Sequence, residues 1–224
     1  MQPRALIATA TVPGGGALAL FRRGDDFTIM LGGNELMNSR MGGSEAALAT
    51  MTCDRLQGRA AAHLLIGGYG MGFSLRAALA VLGPAARATA AELVPEIIDW
   101  ARGPMAGLTA GCLDDPRVDV VVGDVAEVIA GAVRRFDAIL LDVDNGPDGL
   151  TRAANDGLYA VEGLAAAKAA LRPGGILAIW SAGPDAVFAR RLKDAGFVVE
   201  EVSVRARSNG KGARHVIWFA VARS

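Results

Sequence analysis

Apolar and polar positions divide this chain into two regimes. Over residues 1 to about 35, short apolar runs at 5–12, 17–21 and 27–31 are separated by the charged stretch 22–26 and by Gly32-Gly33. That spacing predicts small strands joined by hairpins. A helix is predicted over 39–56, where Ser44-Glu45-Ala46-Ala47-Leu48-Ala49 leads to Met51. Beyond it, buried-type runs alternate with Ala/Leu-rich helical patterns. Strands are predicted at 62–66, 87–93, 118–122, 136–142 and 176–181, with helices at 72–82, 95–102, 124–134, 156–171 and 184–195. The stretch Arg172-Pro173-Gly174-Gly175 ends the fourth of these helices. Such alternation signals a parallel sheet with helices on both faces. The runs 197–204 and 215–222 flank a polar loop and read as a closing antiparallel pair. The basic cluster at 205–214 between them is then a solvated hairpin loop, since it lacks the strand-to-helix setting of a phosphate loop.

At 224 residues the chain can bury one main core with a small appendage. We therefore expect a β appendage with its linking helix at 1–56 and a nucleotide-binding domain at 57–224. Hydrophobic residues reach 52% but aromatics only 5%, so Ala, Leu, Val and Ile should build the core. Lys plus Arg and Asp plus Glu balance at 23 each. With no net charge there is no drive toward nucleic acid or membrane surfaces, which favours a small-molecule substrate. The apolar run 5–12 meets Pro13 and Gly14-Gly15-Gly16 well before the length of a membrane span, so a strand and turn is expected there rather than a leader peptide. Cys53 and Cys112 lack CxxC spacing and the two histidines cannot form a metal cluster alone, so no metal is expected and a cytoplasmic location suits the thiols.

The candidate chemistry begins at Ile66-Gly67-Gly68-Tyr69-Gly70-Met71-Gly72, where an apolar strand opens through glycines onto a helix. Glycines let a ligand approach backbone, and the helix start presents unpaired N–H groups. The dinucleotide fingerprint G-x-G-x-x-G fails, because Phe73 or Leu75 occupies its last position. The spacing of Gly68, Gly70 and Gly72 is instead that of S-adenosylmethionine enzymes. Three acids stand at or just beyond predicted strand ends, the edge where open α/β sheets bind ligands. Glu92, beside Leu93, is placed to accept from ribose hydroxyls. Asp124, beside Val125, is placed for an adenine amine, with a helix N-cap as its competing role. Asp142 is placed to orient or deprotonate a substrate amine. Asp144, Asn145 and Asp148 follow in a loop rich in turn residues, and Asp148 reads as structural.

These residues resemble the spermidine synthase family. Ile66 to Gly72 with Leu75-Arg76 is similar to that family's I-G-G-G-D-G-G…L-R segment, and Glu92, Gly123-Asp124 and Asp142 fall on its ribose, adenine and active-site acid positions. Arg214-His215-Val216-Ile217-Trp218-Phe219-Ala220 also looks familial. The resemblance implies a Rossmann-like class I methyltransferase fold, with a mostly parallel seven-stranded sheet behind a small N-terminal β appendage. It also implies a homodimer. It implies a cofactor site at Gly67, Gly68, Gly70, Gly72, Glu92, Leu93, Asp124, Val125 and Asp142, catalytic acids at Asp142 and Asp144, and substrate contacts at Glu45 and Asn145; Tyr69, where the family segment has glycine, is a candidate substrate contact by its place at the turn. Arg40 is a further candidate at the pocket entrance.

The chain departs from the family where its acids act. The Asp of G-G-G-D-G-G is Gly70, the D-S-S-D-P loop reads Asp142-Val143-Asp144-Asn145-Gly146, and the Y-H-E segment reads Gly43-Ser44-Glu45. A charge-assisted hydrogen bond contributes roughly 1.5–3 kcal/mol, so losing the acid at Gly70 removes about ten- to a hundredfold of preference for an amine-terminated donor. The expectation is therefore an S-adenosylmethionine-dependent transferase that moves a methyl group to a small amine or hydroxyl. The alternatives are aminopropyl transfer from decarboxylated S-adenosylmethionine to a polyamine, and a nucleoside-binding protein without catalysis.

Overall fold

The structure is a computed structural model that describes residues 3–56, 58–143 and 157–223. Four short strands open the chain: β1 (Ala5–Thr11), β2 (Ala17–Arg23), β3 (Asp26–Leu31) and β4 (Asn34–Asn38). They form an antiparallel meander in sequence order. The pattern predicted the first three. It missed β4, whose sequence Asn-Glu-Leu-Met-Asn is too short and polar to announce a strand, and which forms because Gly32-Gly33 turns the chain back along β3. The linking helix α1 covers Gly43–Arg55, shorter than predicted. Residues 39–42 are held instead as a turn, with the Ser39 and Met41 amides bonded to the carbonyls of Phe27 and Asn38.

The main sheet comprises β5 (His63–Gly67), β6 (Arg87–Glu92), β7 (Val118–Val122), β8 (Phe136–Leu141), β9 (Leu171–Ser181), β10 (Phe197–Arg205) and β11 (Arg214–Ala222). Its order is β10-β11-β9-β8-β5-β6-β7. Strands β9, β8, β5, β6 and β7 run parallel and β11 pairs antiparallel with both β9 and β10. Strand order therefore reverses between β5 and β8, and a crevice must open at their carboxyl ends. The stretch 172–175, predicted as a helix stop, is drawn into the start of β9, where the register to β8 is irregular. Helix α2 is Phe73–Val81 and α3 is Pro95–Arg102. A four-residue α4 (Ala106–Thr109) and a 3-10 turn at Cys112–Asp114 precede β7, neither of them foreseen. Helix α5 is Val125–Ala130, which Gly131 stops four residues short of the predicted end. Helix α6 is Val161–Ala170 and α7 is Ala186–Asp194.

Alternate residues of each inner strand face opposite ways. Leu64 and Ile66 of β5 join a core with Leu48, Leu75 and Ile97 from α1, α2 and α3, while Leu65 joins Ile129, Leu164 and Phe188 from α5, α6 and α7. The first of these cores continues without a break into the small sheet through Leu18, Leu20 and Ile29, all nearly inaccessible to solvent. The meander is thus packed over the same face of the main sheet as α1. At the opposite edge, the buried Asp137 carboxylate clamps three segments together. It pairs with Arg59 and Arg172 at 2.6 Å each and accepts the His63 amide at 2.8 Å.

Candidate active site

The β5–α2 turn is shaped by what crowds it. Gly68 has φ +82°, and a Cβ there would lie 2.5 Å from the Asp142 carbonyl oxygen, so only glycine lets the two strand ends close on each other. Gly70 has φ +53°, and a Cβ there would meet the Met37 Cε at 2.7 Å. The thioether of β4 thus occupies the space over Gly70. Gly67 abuts Val125, and Gly72 faces the Tyr69 hydroxyl rather than open space.

Glu92 ends β6 and is 6% exposed. Its Oε2 accepts the amides of Tyr69 at 3.0 Å and Gly70 at 3.2 Å, and its Oε1 accepts that of Val94 at 3.0 Å. The carboxylate pegs the glycine turn in place. A carboxylate offers about four acceptor positions, so roughly one remains for a ligand hydroxyl. Burial pushes this carboxyl above its ordinary range, against the pull of the backbone amides of Val94, Gly70, Tyr69 and Leu93. Asp124 caps α5 through its Oδ1, which accepts the Ala126 amide at 2.8 Å, and it also lines the cleft. The cap that competed with ligand binding for this residue is therefore present, and cleft access accompanies it.

Asp142 follows β8 at the cleft floor, and Glu45 faces the same cleft from the first turn of α1. The Ser74 hydroxyl lies 3.4 Å from the Asp142 Oδ2 and 3.1 Å from the Glu45 carbonyl oxygen. Burial, and then the neighbouring Glu45 charge, push the Asp142 carboxyl up to about 8. Burial also raises Glu45, partly offset by the Ser44 hydroxyl donating to its Oε2 at 2.6 Å. Two carboxyl groups so placed cannot both ionise freely.

The cleft gathers Glu45, Gly68, Gly70, Glu92, Leu93, Asp124, Val125 and Asp142 of the sequence candidates. Tyr69 is different. Its ring is 4% exposed and its hydroxyl lies 3.4 Å from the Cys112 Sγ, so burial, which raises the phenol, keeps it in the core. This corrects the expectation of a substrate contact; only the Tyr69 amide serves the site. Arg40 is also elsewhere, exposed and 3.8 Å from Asp26 on the small sheet. Asp144, Asn145 and Asp148 lie outside the described residues. Sequence reasoning missed the apolar roof, in which Leu18, Leu31, Leu36 and Met37 of the meander and Trp180 of β9 close over the acids. Only Trp180, near the carboxyl end of a strand, carried any signal.

The family model for the spermine/spermidine synthase domain matches residues 56–186. The chain belongs to the spermine/spermidine synthase family. Among curated relatives, the polyamine aminopropyltransferase of Mycobacterium tuberculosis strain H37Rv is 31% identical over 170 residues, covering 75% of this chain and 31% of that protein. Polyamine aminopropyltransferase 1 of Hyperthermus butylicus is 33% identical over 151 residues, covering 66% of this chain and 50% of that protein. The chain spans about a third of the length of the mycobacterial relatives it matches. Among solved structures, spermidine synthase from Thermotoga maritima superposes with a TM-score of 0.78 at 20% identity, covering 97% of this chain and 72% of that one. A spermidine synthase in complex with the transition-state analogue AdoDATO gives 0.77 at the same identity and coverage. The class I methyltransferase fold expected from the resemblance is thus the fold of this spermidine synthase-like chain. Among the described residues no helix is long and apolar enough to cross a membrane.

Proposed function

We propose that the cleft aligns decarboxylated S-adenosylmethionine with an amine and transfers its aminopropyl group, methylthioadenosine being the leaving group. The observation that carries this reading is the charge of the lining. Among the described residues, Glu45, Glu92, Asp124 and Asp142 face the cleft and no Lys or Arg does. A sulfonium and an amine are cations that such a lining attracts, whereas the carboxylate of intact S-adenosylmethionine would meet acids with nothing to pair it. The names of the curated relatives point the same way, toward aminopropyl rather than methyl transfer. In the step itself the amine nitrogen bonds to the carbon beside sulfur, the C–S bond breaks, and the amine proton passes to Asp142. The protein supplies alignment, a dry apolar roof and a carboxylate whose proton affinity is raised toward neutral pH. Glu92 and Asp124 would hold the ribose and adenine, and Asp144 is a second acid for the amine.

One observation favours methyl transfer instead: Met37 fills the place over Gly70 where the family's Asp would hold the donor's amine. Thermal shifts with decarboxylated S-adenosylmethionine, S-adenosylmethionine, methylthioadenosine and NAD decide between them, since specific binding raises apparent stability by mass action. Stabilisation by the decarboxylated donor, with putrescine converted to spermidine, is expected. Stabilisation by S-adenosylmethionine alone would reverse the reading, and stabilisation by NAD alone would end both. Donor binding that survives Asp142→Ala, with no turnover on any amine, would mark a nucleoside-binding protein.

A further inference from the structure

Where the resembled segment carries histidine this chain has Ser44, and a histidine reaches that serine from the other end of the sequence. Gly43 makes the approach possible: its amide donates to the Ala206 carbonyl at 2.9 Å, and any side chain there would run into the backbone of Arg207 and Ser208. Ser44, fully buried, then has its Oγ 2.6 Å from the Glu45 Oε2 and 2.9 Å from the His215 Nδ1 on β11.

A hydroxyl has one hydrogen to donate, so these contacts cannot both be donations from serine. If Glu45 is ionised, Ser44 donates to it and accepts from His215 Nδ1–H. If Glu45 is protonated, its O–H donates to Ser44, which donates to a bare Nδ1, and the ring hydrogen sits on Nε2. Both arrangements satisfy every atom. Each needs a different histidine tautomer, and passing from one to the other moves a proton along the chain. The far end is open: His215 is half-buried, packed edge-on to Trp180 at 4.8 Å, and its Nε2 has no hydrogen-bond partner among the described residues.

We propose that Glu45, Ser44 and His215 form a proton relay that drains the Glu45–Asp142 acid pair to solvent, with Ser44 and His215 as positioning residues. Its use in catalysis rests on the amine-alkylation reading; its existence does not. The proton balance is simple. The amine gives its proton to the acid pair, Glu45 passes one to the Ser44 oxygen as the original serine hydrogen moves to Nδ1, and the Nε2 proton leaves to water. No electrons change hands. The groups facing the relay are Asp142 beyond β8 and Ser74 of α2 on the Glu45 side, and Trp180 of β9 with the strand partner Val204 of β10 on the His215 side.

The test is long-range proton–nitrogen NMR of histidine-labelled protein. Only His63 and His215 contribute, and His63, bonded to Thr89 at 2.9 Å, serves as the reference for an intact fold. Over the pH range in which its ring is neutral, His215 should pass from the Nε2–H to the Nδ1–H tautomer as Glu45 loses its proton. Asp142→Asn, which leaves all three relay residues in place, should move that step to lower pH, and Ser44→Ala should abolish it with the His63 signals unchanged. A tautomer step in a protein that turns over no donor would uphold the relay and sink only the reaction. In the active enzyme, Ser44→Ala and His215→Phe should each cut kcat about tenfold with KM unchanged. A single His215 tautomer across the range, or a step that persists in Ser44→Ala, would overturn the proposal.

Discussion

At the scale of single residues, the cleft is governed by one substitution and one pair. Replacing Gly70 by Asp should push the flexible tip of Met37 aside, because Asp tolerates a left-handed backbone better than most side chains. The restored acid should favour the decarboxylated donor over S-adenosylmethionine by about ten- to a hundredfold in kcat/KM, the worth of one charge-assisted hydrogen bond. An unchanged ratio would show that the donor tail does not pass residue 70. The acid pair gives a second expectation. Asp142, held up to about 8, must be ionised to take a proton, so kcat/KM should climb as pH rises through about 8. The Glu45 charge is one cause of that elevation, so Glu45→Gln should shift the climb to lower pH; a shift upward would refute the coupling. Stability should follow the opposite sign. The folded state keeps the Asp142 proton at a pH where the unfolded chain has lost it, so stability falls from about pH 4 toward pH 8. Asp142→Asn should remove that fall, raising stability by more than ~1 kcal/mol at pH 8 in urea titrations while abolishing turnover.

Among the elements, each strand end carries both an architectural and a chemical duty, and Asp124 allows them to be separated. Its carboxylate caps α5, so Asp124→Ala should cost about 1 kcal/mol, read by chemical denaturation. Asp124→Ser keeps a capping oxygen but no charge. If the residue also holds an adenine amine, the serine variant should recover stability yet still bind methylthioadenosine about tenfold more weakly; full recovery of both would leave only the cap. This doubling explains what the sequence disclosed. Strands β5, β6 and β8 and the acids at their ends were legible, because buried runs ending on Glu92 and Asp142 carry both period and position. Tyr69 was misjudged because a tyrosine beside a glycine turn reads the same whether its ring faces ligand or, as here, Cys112. Met37 was invisible, since β4 has no strand signature and its role depends on a β3–β4 pairing that no local pattern encodes. The contact between Ser44 and His215 spans 171 residues and follows only from sheet order.

Across the whole molecule, the small sheet and the main sheet share one core. Leu18, Leu20 and Ile29 of the meander lie in the same buried cluster as Leu64, Leu140 and Trp180 of the main sheet and Leu48 of α1. The meander also supplies the apolar roof above acids carried by the main sheet and α1, so the site exists only when both are folded. The meander, from Ala5 to Asn38, is below the size of about 40 residues at which a chain without disulfides or metals usually builds a sufficient core of its own. We therefore expect urea unfolding in one cooperative step, with fluorescence of Trp180 at the cleft roof, isolated by replacing Trp100 and Trp218 with Phe, coinciding with loss of far-ultraviolet dichroism. Leu20→Ala, in the small sheet, should lower the midpoint of that single step by removing about 2–4 kcal/mol rather than detaching the meander. The same substitution should weaken donor binding only in proportion to the unfolded fraction. Two separated transitions, with dichroism retained after Trp180 has become exposed, would show instead that the roof can open while the acid-bearing sheet stays folded.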